Sequence, residues 1–185
     1  MTLNATSASL LGFLHREPMS GYQLVSEVEN SIGYFWNVTK SQIYREIKVL
    51  AENRFIILSK SGVRDKRLCT ITAAGRSAFR QWIAHMPAPE LIRFPLLLTL
   101  FFGDRVPPAE LRVILKKHRA QHAERLSHYE DILPQAESYE PYPALTLRFG
   151  LYYERAVLEW FDSITLPPKR HFYKRKNREN KIFLG

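Results

Sequence analysis

A short segment around residue 40 carries side chains that can contact both phosphate groups and the edges of bases. The residues concerned are Lys40, Ser41, Gln42, Tyr44, Arg45 and Lys48. Lysine and arginine can bind phosphate or guanine, glutamine can pair with adenine, and serine and tyrosine hydroxyls can donate to phosphate. A second cluster of cations follows in a polar loop around Gly62, formed by Lys60, Arg64, Lys66 and Arg67. Four cations on one loop suit contact with phosphates beside a groove of DNA.

The pattern of apolar residues predicts a helix for the first cluster. Thr39 and Gln42 have the spacing of a capping box at the start of a helix, so capping competes with base contact for Gln42. Ile43, Ile47 and Leu50 then recur at intervals of four and three residues, which predicts one buried face. The cations of the first cluster fall largely outside that face and are expected to point outward.

The second cluster is predicted to lie on a β-hairpin, because residues 55–58 and 67–71 have the composition of strands. Further helices are predicted over 7–15, 20–33 and 72–82, the second of them with its own capping box. Three short helices, a hairpin and another helix form a winged helix-turn-helix, whose recognition helix enters the major groove. A single cation is more often a solvated surface group, but both clusters fall where this fold meets DNA. The sequence therefore predicts binding to double-stranded DNA.

A helical C-terminal region is predicted beyond a proline-containing linker at 86–89. Its helices are expected over 90–102, from Pro108 to about residue 133, and over 144–164, with a polar connection at 135–143. On the middle helix, a seam of residues recurs at intervals of three and four, namely Leu111, Leu115, His118, His122, Leu126 and Tyr129. Such a seam needs a partner helix. The partner could belong to a second copy of the chain or be the last helix of the same chain.

Charge is distributed unevenly along the chain, whose net charge is +9. Residues 1–84 carry net +5, residues 85–166 carry net −2, and residues 167–185 carry net +6. This predicts a DNA-binding domain over 1–84, a helical dimerisation and effector domain over 85–166, and a basic tail. The tail could add nonspecific phosphate contacts, although a disordered or vector-derived tail is the favoured interpretation. The fold class expected is mainly α with a small β-wing.

Several classes of function are disfavoured by the sequence. No Gly-rich phosphate loop or metal motif is present, and Cys69 has no placed base, so an enzyme is not expected. His118 and His122 share a helix face, but without a third ligand a packed or interface pair is favoured over a metal site, and no cofactor is expected. A single cysteine, no signal peptide and no membrane-spanning run predict a cytoplasmic protein that does not bind membranes.

A set of short stretches recurs in a particular order and spacing: LLGFL at 10–14, SGYQL at 20–24, FW at 35–36, SQIY at 41–44, LAENRFI at 50–56, TITAAG at 70–75 and Trp82. Together they resemble the PadR family of bacterial repressors. Residues 89–103 resemble the start of the longer C-terminal domain of some members, so the likeness covers about 10–166. The resemblance implies a homodimer, joined by C-terminal helices, that binds a palindromic operator. The family usually has proline after the tyrosine at position 44, so Arg45 predicts a different sequence preference.

Longer members of this family lose affinity for DNA when a small aromatic compound binds, in some cases a phenolic acid. By resemblance, an effector would sit between the winged domain and the C-terminal helices. The candidate residues are His15, Arg16, Tyr22, Trp36, Tyr152 and Tyr153, with His15 or Arg16 holding a carboxylate. Core packing remains the favoured explanation for most of these aromatics. The alternative function is a winged-helix interaction adaptor that does not bind specific DNA.

Overall fold

The structure, a computed structural model, describes residues 3–59, 67–89, 92–139 and 141–167. The chain forms two compact units that divide between residues 90 and 91. The boundary expected from the charge distribution lies six residues earlier, between residues 84 and 85. The basic tail and the wing cations Lys60, Arg64 and Lys66 lie outside the described residues.

The first unit is a winged helix-turn-helix. Its elements are α1 (Ala5–Leu14), β1 (Met19–Ser20), α2 (Gly21–Asn30), a 3₁₀ turn (Ile32–Tyr34), α3 (Lys40–Glu52), β2 (Ile56–Leu58), β3 (Leu68–Ile71) and α4 (Ala73–Ile83). The strands form an antiparallel sheet in the order β1-β3-β2, with Cys69 of β3 between Met19 and Leu58. This arrangement confirms the predicted fold class. The two-residue strand β1 was not expected, because it is too short to leave a pattern in the sequence.

Both capping boxes expected from the sequence are present at the helix starts. Ser20 Oγ accepts from the backbone N of Gln23, whose Oε1 accepts in return from the backbone N of Ser20 at 2.9 Å. Thr39 and Gln42 repeat this exchange at the start of α3, again with a return distance of 2.9 Å. The boxes satisfy backbone donors that a helix start leaves unpaired, and so determine where α2 and α3 begin.

The core of the first unit is built around α1. Fully buried side chains are contributed by α1, α2 and α3, namely Leu10, Leu11, Leu14, Leu24, Val28, Ile43 and Leu50. Burial of one such leucine or isoleucine typically stabilises a fold by about 1.5–3 kcal/mol. The apolar face of α3 is therefore held inward, and its polar face is left in solvent.

The turn between α3 and β2 fixes where the hairpin starts. Thr72 closes this turn by donating from its backbone N to Phe55 O at 3.0 Å and from its hydroxyl to Arg54 O at 2.8 Å. Arg54 has a φ of 59°, a left-handed conformation that is uncommon for a residue with a side chain. A Cβ at Gly75 would lie 2.2 Å from Phe55 O, so α4 can pass this close only at a glycine.

The second unit is a helical hairpin with a short helix beside it. Its elements are α5 (Pro95–Phe101), a 3₁₀ turn (Gly103–Arg105), α6 (Pro108–Tyr139) and α7 (Pro141–Ser163). Within the described residues, four arginine–carboxylate ion pairs join α6 to α7 in antiparallel register: Arg119–Asp162, Arg125–Glu154, Glu130–Arg155 and Glu137–Arg148, at 2.6 to 2.8 Å. None of the helices in the described ranges has an apolar stretch long enough to cross a membrane.

Three boundaries expected from the sequence are wrong in this unit. The helix expected over 90–102 begins only at Pro95, because Phe94 is extended with φ −113° and ψ 98°. The helix expected to stop before Pro134 continues to Tyr139, so the polar connection expected over 135–143 does not form. An interior proline removes a backbone donor and typically costs about 3 kcal/mol. Beyond Pro134, α6 still contacts α7, since Glu137 forms an ion pair with Arg148 at 2.6 Å.

The seam on α6 packs against the last helix of the same chain. Leu111 and Leu115 are buried in a cluster with Phe161 of α7. Tyr129 is also buried, and its ring lies against Gly150, where a Cβ would be 2.8 Å away. His118 and Leu126 of the seam are partly buried. The partner that the sequence left open is thus α7, and the seam gives no evidence for a dimer.

Candidate nucleic-acid interface

The outward face of α3 presents the first cluster to solvent. Its exposed residues are Lys40, Ser41, Tyr44, Arg45 and Lys48, whereas Ile43, Ile47 and Leu50 are buried. The orientation expected from the sequence is confirmed for this helix. A helix anchored along one side, with cations along the other, has the shape that a major groove admits.

The cations on α3 lie near carboxylates but are not tied to them. Lys40 Nζ is 3.8 Å from Glu29 Oε1, and Lys48 Nζ is 3.8 Å from Glu52 Oε1. Both lysine side chains are more than two-thirds exposed. Exposed ion pairs of this kind typically contribute about 0–1 kcal/mol to folding stability, so a phosphate can replace the carboxylate at little cost.

Gln42 differs from the other polar residues of α3 because its side chain takes part in the helix cap. Its Oε1 accepts from the backbone N of Thr39 at 2.9 Å and from Thr39 Oγ1 at 3.1 Å. A bidentate contact with adenine uses both the oxygen and the nitrogen of the amide. Such a contact would therefore compete with the cap that starts the helix.

A buried carboxylate ties α3 to the start of α1. Glu46 lies on the buried side of α3, where its Oε2 accepts from Ser7 Oγ at 2.7 Å and from Asn4 Nδ2 at 3.0 Å. Asn4 also caps α1, since its Oδ1 accepts from the backbone N of Ser7 at 2.8 Å. The hydrogen bond from Ser7 is the main cause that lowers the pKa of Glu46; Asn4 and nearby Arg45 add to it, and burial opposes it. This contact fixes the rotation of α3 about its own axis.

A groove runs beside α3, between α2 and the hairpin. It has a volume of about 460 Å³ and is lined by Tyr22, Tyr44, Ile47, Lys48, Leu58 and Arg67, among others. We call it the α2–α3 groove. Arg67 is the one predicted wing cation that lies within the described residues, and it is exposed. The base of its hairpin is closed by Ser59, whose backbone N donates to Leu68 O and whose Oγ accepts from the backbone N of Leu68, both at 2.9 Å.

The effector candidates of the first unit do not form one wall. Tyr22 lines the α2–α3 groove, whereas Trp36 donates from Nε1 to Thr6 Oγ1 at the start of α1. His15 follows the other end of α1, about 13 Å along the helix axis from Thr6. Arg16 beside it is exposed.

The imidazole of His15 packs against other residues of the first unit. Its ring lies 5.0 Å from the ring of Phe79, and its Nδ1 is 3.2 Å from Nη1 of Arg76. Burial, followed by the charges of Arg76 and Arg80, lowers the pKa of His15. A neutral imidazole is therefore favoured here, which does not suit the role of holding a carboxylate.

The two candidates of the second unit differ in their surroundings. Tyr152 is exposed on α7. Tyr153 stacks with Phe94 and Phe149, at ring-centroid distances of 6.2 and 6.5 Å. Burial, with a smaller contribution from the charge of Glu154, raises the pKa of Tyr153. Tyr153 is thus the candidate with aromatic neighbours.

The cysteine and the histidine pair that the sequence analysis weighed as reactive or metal-binding groups are engaged in packing and hydrogen bonding. Burial raises the pKa of the Cys69 thiol to about 11, so it is protonated and unreactive near neutral pH. No group of three or more histidine, cysteine or carboxylate side chains is placed there to hold a metal ion. His122 Nδ1 instead lies 2.5 Å from Glu154 Oε2, between α6 and α7.

Glu46 and Gly21 are parts of the site that the sequence analysis missed. Glu46 could have been found, because it is a charged residue inside the buried stripe formed by Ile43, Ile47 and Leu50. Gly21 is needed for a close approach, since a Cβ there would lie 2.6 Å from Cε1 of Tyr44. That contact joins residues far apart in the sequence, so no local pattern reveals it.

An anchored recognition helix beside a β-hairpin defines a winged helix-turn-helix regulator, and comparisons with known proteins agree. Residues 10–81 match the transcriptional regulator PadR-like family, and residues 92–165 match the family described as virulence activator alpha C-term. The negative transcriptional regulator PadR of Bacillus subtilis (strain 168) is 28% identical over 172 residues, which cover 84% of this chain and 93% of that protein. Residues 10–81 thus form a PadR-like domain, and the matched family and this relative are transcriptional regulators rather than enzymes.

Several solved structures share the fold. The protein smu.1604c of Streptococcus mutans UA159 has a TM-score of 0.77 at 19% identity, over 86% of this chain and 97% of that one. Bacillus subtilis PadR in complex with operator DNA has a TM-score of 0.74 at 24% identity, over 87% of this chain and 96% of that one. The same relative in complex with p-coumaric acid has a TM-score of 0.67 at 24% identity, over 86% and 96% of the two chains.

The contact of Glu46 predicts a stability that depends on pH. Because the pKa of Glu46 is lower in the folded protein than its ordinary value of 4.5, folding favours the ionised carboxylate. The stabilisation from its hydrogen bonds is therefore present above pH 4.5 and is lost as the pH falls through the lower pKa of the folded protein. The Ser7→Ala variant should lose about 1.5–3 kcal/mol of unfolding free energy at pH 7, as for other hydrogen bonds to charged groups. The loss should shrink below pH 4.5. Denaturant unfolding at a series of pH values measures both effects.

Ser9→Ala is the matched control, because Ser9 lies on the same helix and donates only to Thr6 O. A Ser7→Ala cost that is equal at pH 7 and pH 4, or equal to that of Ser9→Ala, would show that Glu46 does not hold α3 in this way.

Proposed function

We propose that this regulator binds DNA sequence-specifically as a homodimer and represses transcription from a palindromic operator. The observation that carries the proposal is the outward face of α3, whose cations are exposed while the opposite face is anchored in the core. Support for repression comes from the Bacillus subtilis relative, which is named as a negative regulator. In a two-fold dimer, the two recognition helices would enter the major groove about 34 Å apart.

The side chains of the interface divide into two roles in this proposal. Lys40 and Arg45 lie toward the start of α3, the part of a recognition helix that reaches base edges. Ser41, Tyr44 and Lys48 on α3 would contact phosphates, together with the wing residues Lys60, Arg64, Lys66 and Arg67. Gln42 contributes mainly through the cap. Arg45 stands where the family usually has proline, so it is the residue expected to shift the preferred sequence.

The dimer is proposed to form through the outward face of α7. Four large side chains recur on that face at intervals of three and four residues, namely Tyr142, Leu145, Phe149 and Tyr152, each more than half exposed. They lie on the side of the helix away from Leu151 and Phe161, which are buried. An exposed stripe of large aromatic and aliphatic side chains on one helix face supports a protein interface there.

Release of DNA by a small aromatic compound is the remaining part of the proposal. Its support is the Bacillus subtilis relative, which has been solved with p-coumaric acid. In this chain, Tyr153 with Phe94 and Phe149 offers stacked rings for an aromatic ligand.

Removing the two cations at the start of α3 tests DNA binding. The Lys40→Ala/Arg45→Ala variant should lose about 1–3 kcal/mol for each base contact, or roughly 30- to 20,000-fold in affinity for the two together. Lys116→Ala/Lys117→Ala is the control, since it removes the same charge from the exposed side of α6. Fluorescence anisotropy with operator and unrelated duplexes measures both variants. Unchanged affinity for every DNA sequence would favour the interaction adaptor instead.

Charges placed on the outward face of α7 test the dimer. The Leu145→Asp/Phe149→Asp variant should elute and scatter light as a single 21.6 kDa chain, whereas the wild type should have twice that mass. Gln121→Asp adds a charge to an exposed position of α6 and should leave the mass unchanged. A variant that stays dimeric would place the interface elsewhere.

Titration with phenolic acids tests effector release. p-Coumaric acid, or a related phenolic acid in a small panel, should quench tryptophan fluorescence and lower the affinity for operator DNA. A Tyr153→Ala variant should need a higher concentration for both effects, because a stacking partner is lost. A panel that neither quenches fluorescence nor releases DNA would contradict this part of the proposal.

A further inference from the structure

A small pocket lies between α6 and α7 of the second unit. It has a volume of about 230 Å³ and is lined by Leu133, Arg148, Leu151, Tyr152 and Arg155. We call it the hairpin pocket. Pockets that hold drug-sized ligands commonly have volumes of about 300–1,000 Å³, so this pocket suits a smaller molecule. Its lining residues all belong to one chain, so the pocket is complete without a second copy.

One part of the hairpin pocket is apolar and aromatic. Leu151 is buried and Leu133 is partly buried. The ring of Tyr152 is 72% exposed, and its hydroxyl has no hydrogen-bond partner within the described residues. Exposed rings can stack on another flat ring. This part of the pocket therefore suits a planar, largely apolar group.

The two arginines of the pocket are each held by a glutamate of α6. Arg155 donates from Nη2 to Glu130 Oε1 at 2.7 Å. Arg148 donates from both Nε and Nη2 to Glu137 Oε1, at 2.8 and 2.6 Å. Because a guanidinium has five N–H donors, both arginines keep donors that have no partner in the described part of the chain. The glutamates thus position the guanidiniums and leave part of each available to a ligand.

The charges around the pocket limit which ligands it can hold. The two arginines and their two glutamates sum to zero, so net charge alone does not draw anions in. A multiply charged phosphate would therefore lie near two carboxylates without a surplus of cations to compensate it. A carboxylate carries one negative charge, and its planar shape matches two parallel N–H groups of a guanidinium. A small molecule with one carboxylate on a flat apolar group fits the pocket best.

We propose that the hairpin pocket binds a small planar carboxylate, with the guanidinium of Arg155 as its charged contact and the ring of Tyr152 as its stacking partner. Arg155 is chosen over Arg148 because it uses fewer of its donors on its glutamate. The inference goes beyond the proposed function, which places an aromatic ligand at Tyr153. Successive side chains of a helix point about 100° apart, so Tyr152 and Tyr153 lie on different sides of α7.

Tyr152 is also the last residue of the α7 stripe that is proposed to form the dimer. The hairpin pocket therefore borders that face. The other four lining residues lie outside the stripe. Binding is accordingly tested on the full-length protein, in the oligomeric state that it adopts in solution.

Isothermal titration calorimetry with p-coumaric acid and its methyl ester tests the pocket. The two compounds share a ring, but the ester has no free carboxylate. The Tyr153→Ala variant serves as the background, because it lacks the stacking partner of the proposed effector site. In this background, the acid should bind at one site per chain. The ester should bind roughly 10- to 150-fold more weakly, the range for hydrogen bonds to a charged group.

Two substitutions in the same background separate the parts of the pocket. Arg155→Gln should weaken binding of the acid by a similar factor and leave that of the ester unchanged. Tyr152→Ala should weaken both compounds by several-fold, because a stacking partner is lost. Arg119→Gln is the matched control, since it removes another exposed arginine that pairs across the helices, with Asp162, and should leave affinity unchanged. Equal melting temperatures for the two arginine variants would show that a lost ion pair is not the cause.

The inference is overturned if the Tyr153→Ala protein does not bind the acid, or binds the acid and the ester equally. Wild-type affinity in both Arg155→Gln and Tyr152→Ala would have the same meaning. So would displacement of the acid by an equal concentration of inorganic phosphate, since the pocket would then accept any anion. If the acid releases DNA from the wild type but does not bind Tyr153→Ala, the pocket fails and the proposed effector site stands. If the acid binds as expected here but never releases DNA, the pocket stands and effector release fails.

Discussion

The orientation of α3 depends on the hydrogen bonds that Ser7 and Asn4 donate to the buried carboxylate of Glu46. Leucine and isoleucine side chains bury one face of this helix, but apolar packing alone tolerates some rotation about the helix axis. A carboxylate that accepts from Ser7 and Asn4 does not tolerate such a rotation, because a buried charge left without its hydrogen-bond donors is costly. The same two residues start α1, so the first turn of the fold and the recognition helix are set together.

The remaining features of the first unit adjust what this anchored helix presents. The cap formed by Thr39 and Gln42 fixes where α3 starts, and it uses the glutamine in doing so. Gly21 allows α2 to lie close to the ring of Tyr44, because a Cβ there would be 2.6 Å from Cε1. Cations then occupy the exposed positions without strong partners of their own. Stability and recognition thus use opposite faces of one element.

Much of the first unit follows from local patterns in the sequence. Capping-box spacing and the recurrence of Ile43, Ile47 and Leu50 correctly predicted α3 and its outward face. The helix through Pro134 and the pairing of the α6 seam with α7 could not be predicted, because both depend on contacts with a distant segment. The positions of the effector candidates could not be predicted either. Their residue types suggested one site, whereas the fold separates Tyr22, Trp36 and His15.

Sequencing of the DNA that the full-length protein selects from a random duplex library tests the central claim most directly. The account expects enrichment of a palindrome whose half-sites lie about one helical turn apart, matching two copies of α3. It also expects that the Lys40→Ala/Arg45→Ala variant enriches no such sequence. Recovery of no preferred sequence by the wild type, or of the same palindrome by that variant, would contradict the assignment of α3 as the element that reads DNA.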